Sequence, residues 1–188
     1  MEVLLINGSP HPHGNTRAVL EVVANELHAQ GIDTRWFQLG TGPIRGCTGC
    51  GGCQKTNRCV FDDDPCNQLI ESILAADGLV VGSPVYFAGP NGALCALLDR
   101  AFYATCTRSQ LFHGKPAAAL VTQHRVGGSA ALDRLHRYFI PCQMPVVTTS
   151  DYLSLFRRQD VGEDPRQIDL LHTLARNLAA QLTAHISQ

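Results

Sequence analysis

The sequence predicts an α/β domain of three layers, in which helices cover both faces of one doubly wound parallel sheet. Short apolar runs alternate five times with longer segments of helical spacing, an order typical of parallel sheets. The first run, residues 3–6, is apolar throughout, as expected for a strand that is buried on both faces. The 188 residues contain no internal repeat or linker, so we expect one domain over residues 1–188.

The order of the elements predicts the topology. The five predicted strands span residues 3–6, 34–39, 78–82, 117–122 and 145–149. The helices that follow them span residues 16–30, 65–76, 92–104, 129–139 and 165–184. Gly31 is typical of a helix end, and Asp64 followed by Pro65 is typical of a helix start. Five strands in this order fit the flavodoxin-like sheet 2-1-3-4-5, whose ligands bind beyond the carboxyl ends of the strands.

The loop after the first strand has the features of an anion site. Residues 7–16 lead into a helix N-terminus, where unpaired amides and the helix dipole favour a phosphate group. Gly14 allows close approach of the backbone. The loop lacks the P-loop motif and the G-x-G-x-x-G motif, which favours a permanently held cofactor. The alternative is a plain turn in which Asn15 or Thr16 caps the helix. The candidate binding residues are Ser9, His11, Gly14, Asn15 and Thr16.

Two further loops are expected at the same edge of the sheet. In residues 82–92, Ser83 and the amides from Val85 onward can serve the polar edge of a flat heterocycle, while aromatic side chains cover its face. Residues 122–128 offer polar side chains and two glycines that permit close approach. The alternatives are that the aromatic residues belong to the core and that the histidine is solvated. The candidates here are Ser83, Val85, Tyr86, Phe87, Gln123, His124, Arg125, Gly127 and Gly128.

These loops together resemble those of the NADPH-dependent FMN reductase family, and in particular of its iron-sulfur flavoproteins. The resemblance rests on Ile-Asn-Gly-Ser-Pro…Gly-Asn-Thr at residues 6–16, on Gly-Ser-Pro-Val-Tyr-Phe…Gly-Ala-Leu-Cys-Ala-Leu-Leu-Asp-Arg at residues 82–100, and on Gly-Lys-Pro-Ala at residues 114–117. It extends from residue 2 to about residue 150. It implies that FMN is bound through its phosphate by Ser9, Asn15 and Thr16, through its ring and ribityl chain by Pro84, Val85, Tyr86, Phe87 and Asn91, and at its flavin edge by residues 123–128.

Four of the eight cysteines fall in one stretch of thirteen residues, which lies inside a Cys-rich loop at about 40–64. Cys47, Cys50, Cys53 and Cys59 have the spacing C-x2-C-x2-C-x5-C, whose short steps allow successive thiolates to surround one iron-sulfur cluster. Zinc fits less well, because zinc sites usually pair two C-x2-C units across a longer spacer. The spacing resembles the motif with which iron-sulfur flavoproteins hold a 4Fe-4S cluster. The alternatives are a Cys-rich loop at a subunit interface and a redox-active thiol pair.

Other residues near these motifs have structural interpretations. Asp62, Asp63 and Asp64 are expected as charges at a helix start. Cys95 and Cys106 are expected to be small buried residues of the helix at 92–104. That helix is a candidate for the core and equally a candidate for a contact between subunits.

The resemblance implies an enzyme that passes electrons from NADH or NADPH through FMN to a small acceptor such as a quinone. This reaction requires no acid or base, and Tyr86 and His124 are candidates for shaping the acceptor pocket. One alternative is an electron carrier whose cluster exchanges electrons with ferredoxin, and another is a flavodoxin-like binding protein without catalysis. A hydrolase is disfavoured because no G-x-S-x-G elbow or triad can be assigned. Family relatives form homodimers or homotetramers, so the same is expected here.

Composition limits the remaining classes of function. The formal net charge of −1, without a basic stripe, does not favour nucleic-acid binding. No apolar run approaches the ~20 residues that span a bilayer, so no membrane segment is expected. The residues after Met1 lack the basic region of a signal peptide. We therefore expect a cytoplasmic protein whose cysteines are kept reduced.

Overall fold

A computed structural model describes residues 1–106, 108–151 and 164–186. Within these residues the strands are β1 (Glu2–Asn7), β2 (Asp33–Gln38), β3 (Gly78–Tyr86), β4 (Gly89–Pro90), β5 (Ala117–Thr122) and β6 (Val146–Val147). The helices are α1 (Asn15–Ala29), α2 (Cys66–Ala75), α3 (Gly92–Cys106), α4 (Gly128–Phe139) and α5 (Pro165–Ile186). Single 3-10 turns lie at Gly52–Gln54 and Ile140–Cys142. Each predicted strand and helix has its counterpart among these elements.

The strands form one sheet in the order β2-β1-β3-β5-β6, and all neighbours along this path are parallel. The predicted flavodoxin-like order 2-1-3-4-5 is confirmed, because β4 pairs only with β3 and lies off this path. The edge strand is shorter than the predicted run at 145–149 and keeps only Val146–Val147. Parallel connections bring the carboxyl ends of β1, β3 and β5 to one edge of the sheet, as the site prediction requires.

A hairpin at the end of β3 was not predicted. The antiparallel pairing of β3 with β4 joins Tyr86 to Gly89. The two residues at its turn, Phe87 and Ala88, have φ angles of 48° and 61°. Turns of this kind usually carry Gly, Asn or Asp at such positions, so the sequence gives no hairpin signal here. The segment at 82–92 is therefore an extended strand and a tight turn rather than an irregular loop.

The core has two layers, one on each face of the sheet. Val3 and Leu5 face the layer formed with α1 and α5, whereas Leu4 and Ile6 face the layer formed with α2, α3 and α4. This explains the uninterrupted apolar run of β1, since both faces of the strand are buried. The apolar side of α3 lies within the second layer, which favours the core interpretation of that helix. Over the described part of the chain, every helix is too short or too polar to span a bilayer.

A polar contact joins the two helices that cover the first face. Glu26 of α1 accepts a hydrogen bond from Arg176 Nε of α5 at 2.8 Å, and His172 Nδ1 lies 2.7 Å from its other carboxylate oxygen. The hydrogen bond from Arg176 holds the pKa of Glu26 below its ordinary value, against the opposing effect of burial. The ionised form of Glu26 therefore stabilises the packing of α1 on α5.

Candidate functional site

A cavity of about 740 Å³ opens at the carboxyl ends of β1, β3 and β5. This volume lies within the range of roughly 300–1,000 Å³ that is usual for small-molecule sites. The cavity is lined by parts of the three predicted loops: Ser9, His11, Pro12, His13, Gly14, Asn15, Thr16, Pro84, Val85, Tyr86, Thr122, Gln123 and His124. The fold thus brings together the three segments that the sequence assigned to one ligand.

Some predicted site residues do not line this cavity. These are Ser83, Phe87, Asn91, Arg125, Gly127 and Gly128. Conversely, Pro12, His13 and Thr122 line it, although they were not among the candidates. The sequence could have indicated these three residues, because they lie within or beside the predicted loops. A loop that surrounds a ligand lines the cavity with more residues than those that donate hydrogen bonds to the ligand.

The loop after β1 is held by its own polar side chains. The Ser9 amide donates to Asn7 Oδ1 at 3.2 Å, and Ser9 Oγ accepts the His11 amide at 3.1 Å. Gln38 donates from Nε2 to the Ser9 carbonyl at 2.7 Å, and its Oε1 accepts a hydrogen bond from Asn7 at 2.7 Å. Asn7 and Gln38 were missed by sequence reasoning, although both are polar residues at strand ends. They fix the loop before any ligand is present.

The N-terminus of α1 faces this cavity without a side-chain cap. Gly14 occupies the N-cap position and makes no side-chain cap. The alternative interpretation, in which Asn15 or Thr16 caps the helix, is therefore wrong. The first turn carries no acidic residue. The first amides of a helix lack intrahelical partners and carry the positive end of the dipole. An anion in the cavity can therefore accept hydrogen bonds from the start of α1.

Hydroxyl and amide groups tie the three loops together. Thr16 Oγ1 lies 2.8 Å from Thr122 Oγ1, which joins the first loop to the third. Ser83 Oγ accepts the Asn91 amide at 3.0 Å, and Asn91 Nδ2 donates to the Gly8 carbonyl at 2.9 Å. Ser83 and Asn91 are buried. Both act here as supports behind the cavity wall.

Gly127 of the third loop is required by the packing of the fold. Gly127 has a φ of 95°, and a Cβ atom built there would lie 2.4 Å from the Cα of Ala88. The hairpin therefore packs so closely on this loop that only glycine fits. Gln123 Oε1 accepts a hydrogen bond from the Gly128 amide at the start of α4 at 2.8 Å. His124 and Arg125 are exposed, so their side chains are free to meet a molecule at the mouth of the cavity.

A second, smaller cavity is lined by all four clustered cysteines, together with Phe61, Arg100 and Tyr103. All four are free thiols: Cys47, Cys50, Cys53 and Cys59. Across residues 1–106, 108–151 and 164–186, no three His, Cys, Asp or Glu side chains converge closely enough to hold a single metal ion. A zinc ion needs ligands that converge at about 2.3 Å from one centre, whereas an iron-sulfur cluster bonds each thiolate to its own iron. The donor set, four free cysteines around one cavity, has the chemistry that an iron-sulfur cluster requires.

Arg100 of α3 connects the cysteine loop to the core. Its Nε donates to Cys59 Sγ at 3.3 Å, and its Nη2 donates to the Phe61 carbonyl at 3.2 Å. Its Nη1 bonds the Arg45 carbonyl at 3.1 Å and pairs with Asp64. Burial tends to lower the pKa of Arg100, but these hydrogen bonds outweigh it and raise the net pKa.

Asp64 has a larger role than a helix-start charge. Its carboxylate is buried against Arg100, and it also accepts the amides of Arg45 at 3.0 Å and of Cys66 at 3.1 Å. Burial tends to raise the pKa of Asp64, yet these donors bring it below the ordinary value. Of its neighbours, Asp63 pairs with Arg45 at the surface and Asp62 accepts a hydrogen bond from Asn67.

Asn67 holds the same segment from the other side. Its Oδ1 accepts the Cys59 amide at 2.8 Å, and its Nδ2 donates to the Cys59 carbonyl at 3.0 Å. Burial raises the pKa of the nearby Cys66 thiol to about 12, so Cys66 stays protonated. Sequence reasoning missed Arg100 and Asn67, because a charged or polar residue on a helix gives no sign of the loop that it contacts. Cys106 is buried as expected, whereas Cys95 is partly exposed.

Comparison with known proteins agrees with this geometry. A family model described as NADPH-dependent FMN reductase matches residues 1–155. The chain is 31% identical over 186 residues to an iron-sulfur flavoprotein of Methanocaldococcus jannaschii, a match that covers 97% of this chain and 95% of that protein.

Two solved structures share the fold at lower identity. FerB, a flavoenzyme NAD(P)H:(acceptor) oxidoreductase from Paracoccus denitrificans, superposes with a TM-score of 0.72 at 18% identity and covers 98% of both chains. A flavodoxin from the domain Archaea superposes with a TM-score of 0.65 at 14% identity, over 97% of this chain and 99% of that one. The match over most of the sequence, the flavodoxin-like sheet and the three converging loops agree: the chain belongs to the NADPH-dependent FMN reductase family.

Proposed function

We propose that this protein binds FMN in the cavity of about 740 Å³ and passes electrons through it from a nicotinamide cofactor to a small acceptor. The observation that carries the proposal is the uncapped N-terminus of α1, which faces a cavity that the three predicted loops share. Membership of a family described as NADPH-dependent FMN reductase supports it. The acceptor class, such as a quinone, follows from the resemblance.

The residues of the cavity divide into three groups by what they can bind. The amides at the start of α1, with Ser9 and Asn15, suit the phosphate. Residues 84–86 supply backbone and aromatic surface for the ring. Gln123 and His124 lie at the flavin edge. When bound, FMN supplies the redox chemistry, because its ring accepts hydride and releases electrons.

The entrance of the cavity suits a planar second molecule. Tyr86 is 48% exposed while it also lines the cavity, so its ring can contact both FMN and an incoming nicotinamide or acceptor. His124 lies on the third loop at the same cavity. Arg125 beside it is exposed and can meet the phosphates of a nicotinamide cofactor. We assign these residues to positioning, since hydride transfer needs no protein acid or base.

The direct test is the absorption spectrum of protein purified without oxygen, with FMN quantified after release. The proposal expects about one FMN for each chain and bleaching of the flavin bands by NADPH or NADH within seconds. A colourless protein that does not bind added FMN would support the alternative of a binding protein without flavin. If the protein binds FMN but neither NADPH nor NADH reduces it, the nicotinamide cofactor is not the electron donor. The proposed binding of FMN would still stand.

The second candidate function is that of an iron-sulfur flavoprotein electron carrier. The observation that favours it is that Cys47, Cys50, Cys53 and Cys59 all line one cavity. These residues would hold a 4Fe-4S cluster, which supplies one-electron chemistry and could exchange electrons with ferredoxin. Its test is iron and sulfide analysis of the same preparation: about four irons for each chain support the cluster, and their absence after reconstitution contradicts it.

Assembly belongs to the proposal as well. The family resemblance implies a homodimer or homotetramer. The apolar side of α3 is used by the core of its own chain. Among the described residues, Phe87 and Val126 are apolar side chains left largely exposed beside the FMN cavity. Light scattering at several protein concentrations tests the expected oligomer.

A further inference from the structure

The cysteine cavity contains a buried cation. Arg100 is 2% exposed, and its guanidinium is held on every side by Cys59, Arg45, Phe61 and Asp64. An arginine side chain stays protonated throughout the range in which proteins are folded. The positive charge is therefore permanent at this position.

Placement of this charge against a sulfur has an electrostatic consequence. Arg100 Nε points at Cys59 Sγ at 3.3 Å, within hydrogen-bond distance for sulfur. A cluster that gains an electron becomes more negative, and hydrogen bonds to its sulfurs and nearby charges set its potential. Because the Arg100 side chain is buried, its charge is screened less by solvent than a charge at the surface would be.

We propose that Arg100 is a positioning residue for the iron-sulfur cluster, whose guanidinium fixes Cys59 through the Nε–H···Sγ bond and raises the reduction potential of the cluster. This rests on the proposed binding of a cluster by Cys47, Cys50, Cys53 and Cys59. The affected step is the transfer of one electron to the cluster from a one-electron donor such as reduced ferredoxin, and no covalent bond of the protein forms or breaks. Asp64 acts in the opposite sense, because its buried negative charge opposes the gain of an electron.

A purely structural role for Arg100 predicts a different pattern. If Arg100 only pins the loop, its loss and the loss of Asp64 break the same ion pair and perturb the loop in the same direction. An electrostatic role predicts opposite shifts of the potential, since one substitution removes a positive charge and the other a negative charge. The sign of the two shifts therefore separates the two roles.

The experiment is a redox titration of the reconstituted full-length protein, followed by electron paramagnetic resonance of the reduced cluster. Wild type, Arg100→Gln and Asp64→Asn are compared at one pH and salt concentration. Arg100→Gln is expected to lower the equilibrium constant for one-electron reduction about tenfold, which corresponds to about 59 mV in the negative direction. Asp64→Asn is expected to shift the potential in the positive direction.

Two controls separate charge from loop geometry. Arg58→Gln removes an exposed cation next to Cys59 that pairs with Glu71, and solvent screening should leave the potential close to wild type. Asn67→Ser removes the uncharged contacts to the Cys59 backbone and should lower iron retention more than it shifts the potential. Thermal unfolding of each variant shows whether it is folded.

The outcomes are decisive in each case. Potentials of Arg100→Gln and Asp64→Asn that shift together, or that both match wild type, overturn the role of Arg100 while leaving the cluster in place. Should Arg100→Gln fail to fold or hold iron, a potential of Asp64→Asn at or below that of wild type overturns the proposal, and a positive shift supports it. A wild-type chain that binds no iron after reconstitution contradicts the proposed cluster itself, and the role of Arg100 falls with it.

Discussion

Tyr86 and Phe87 are adjacent aromatic residues with different surroundings. Tyr86 lines the cavity and Phe87 is fully exposed at the hairpin turn. We predict that Tyr86→Ala weakens FMN binding about tenfold, or ~1.4 kcal/mol, because an aromatic contact with the ring is lost. Phe87→Ala should leave the affinity near that of wild type. Fluorescence titration of the apoprotein with FMN measures both, and equal losses in the two variants would contradict the geometry.

Gly127 tests the close packing of the hairpin on the third loop. We predict that Gly127→Ala destabilises the fold by about 1–3 kcal/mol, because alanine is strained at a φ of 95° and its Cβ would meet Ala88. Gly42→Ala is the matched control, since nothing lies within 4 Å of a Cβ at that position. Its free energy of unfolding should change by less than about 1 kcal/mol. Urea denaturation gives both values, and similar losses would show that the contact with Ala88 is absent.

Among the elements, the N-terminus of α1 carries most of the FMN proposal. We predict that Asn15→Asp weakens FMN binding at least about tenfold, because the new carboxylate repels the phosphate. The free energy of unfolding of the apoprotein should be equal to or greater than that of wild type, because an acidic residue is favourable at a helix N-terminus. Calorimetric titration with FMN and thermal unfolding of the apoprotein measure these opposite effects.

Ser129→Asp provides the control for that helix effect. It adds an equal charge in the first turn of α4, outside the cavity lining. Its FMN affinity should stay within about threefold of wild type, a difference of less than ~1 kcal/mol. If Asn15→Asp binds FMN as well as Ser129→Asp does, the phosphate is not at α1.

The contact between α1 and α5 gives the fold a pH dependence. The pKa of Glu26 is lowered by Arg176, so its stabilising effect is present above its unfolded pKa of about 4.3 and is lost as the pH falls through the lower folded pKa. We predict that Glu26→Gln destabilises the protein by about 1 kcal/mol at pH 7 and by less at about pH 3. Glu21→Gln, in an exposed pair with Arg17, should change stability by less than about 0.5 kcal/mol. A Glu26→Gln loss that is independent of pH would contradict this assignment.

For the whole molecule, the sequence predicted the sheet order and the convergence of the three loops. The apolar runs such as residues 3–6 could be recognised because strands buried on both faces leave no polar alternation. The loop at 7–16 could be recognised because glycine and small polar residues precede a helix. These are local signals, and the parallel topology then fixes where they meet.

Long-range contacts were beyond such reasoning. The turn at Phe87 and Ala88 lacks the usual residues of a hairpin and depends on packing against Gly127. Arg100 lies 41 positions from Cys59, so no spacing rule connects them. Whether Ser83 and Asn91 face the ligand or support the wall also depends on side-chain direction, which the pattern of strands and loops does not specify.

We propose that the start of α1 binds the phosphate of FMN, and a crystal structure of the complex with FMN is the sharpest test of this assignment. We expect phosphate oxygens within about 3 Å of the first amides of α1, with the ring between residues 84–86 and 122–124. FMN bound elsewhere on the surface, with its phosphate away from Asn15 and Thr16, would contradict it.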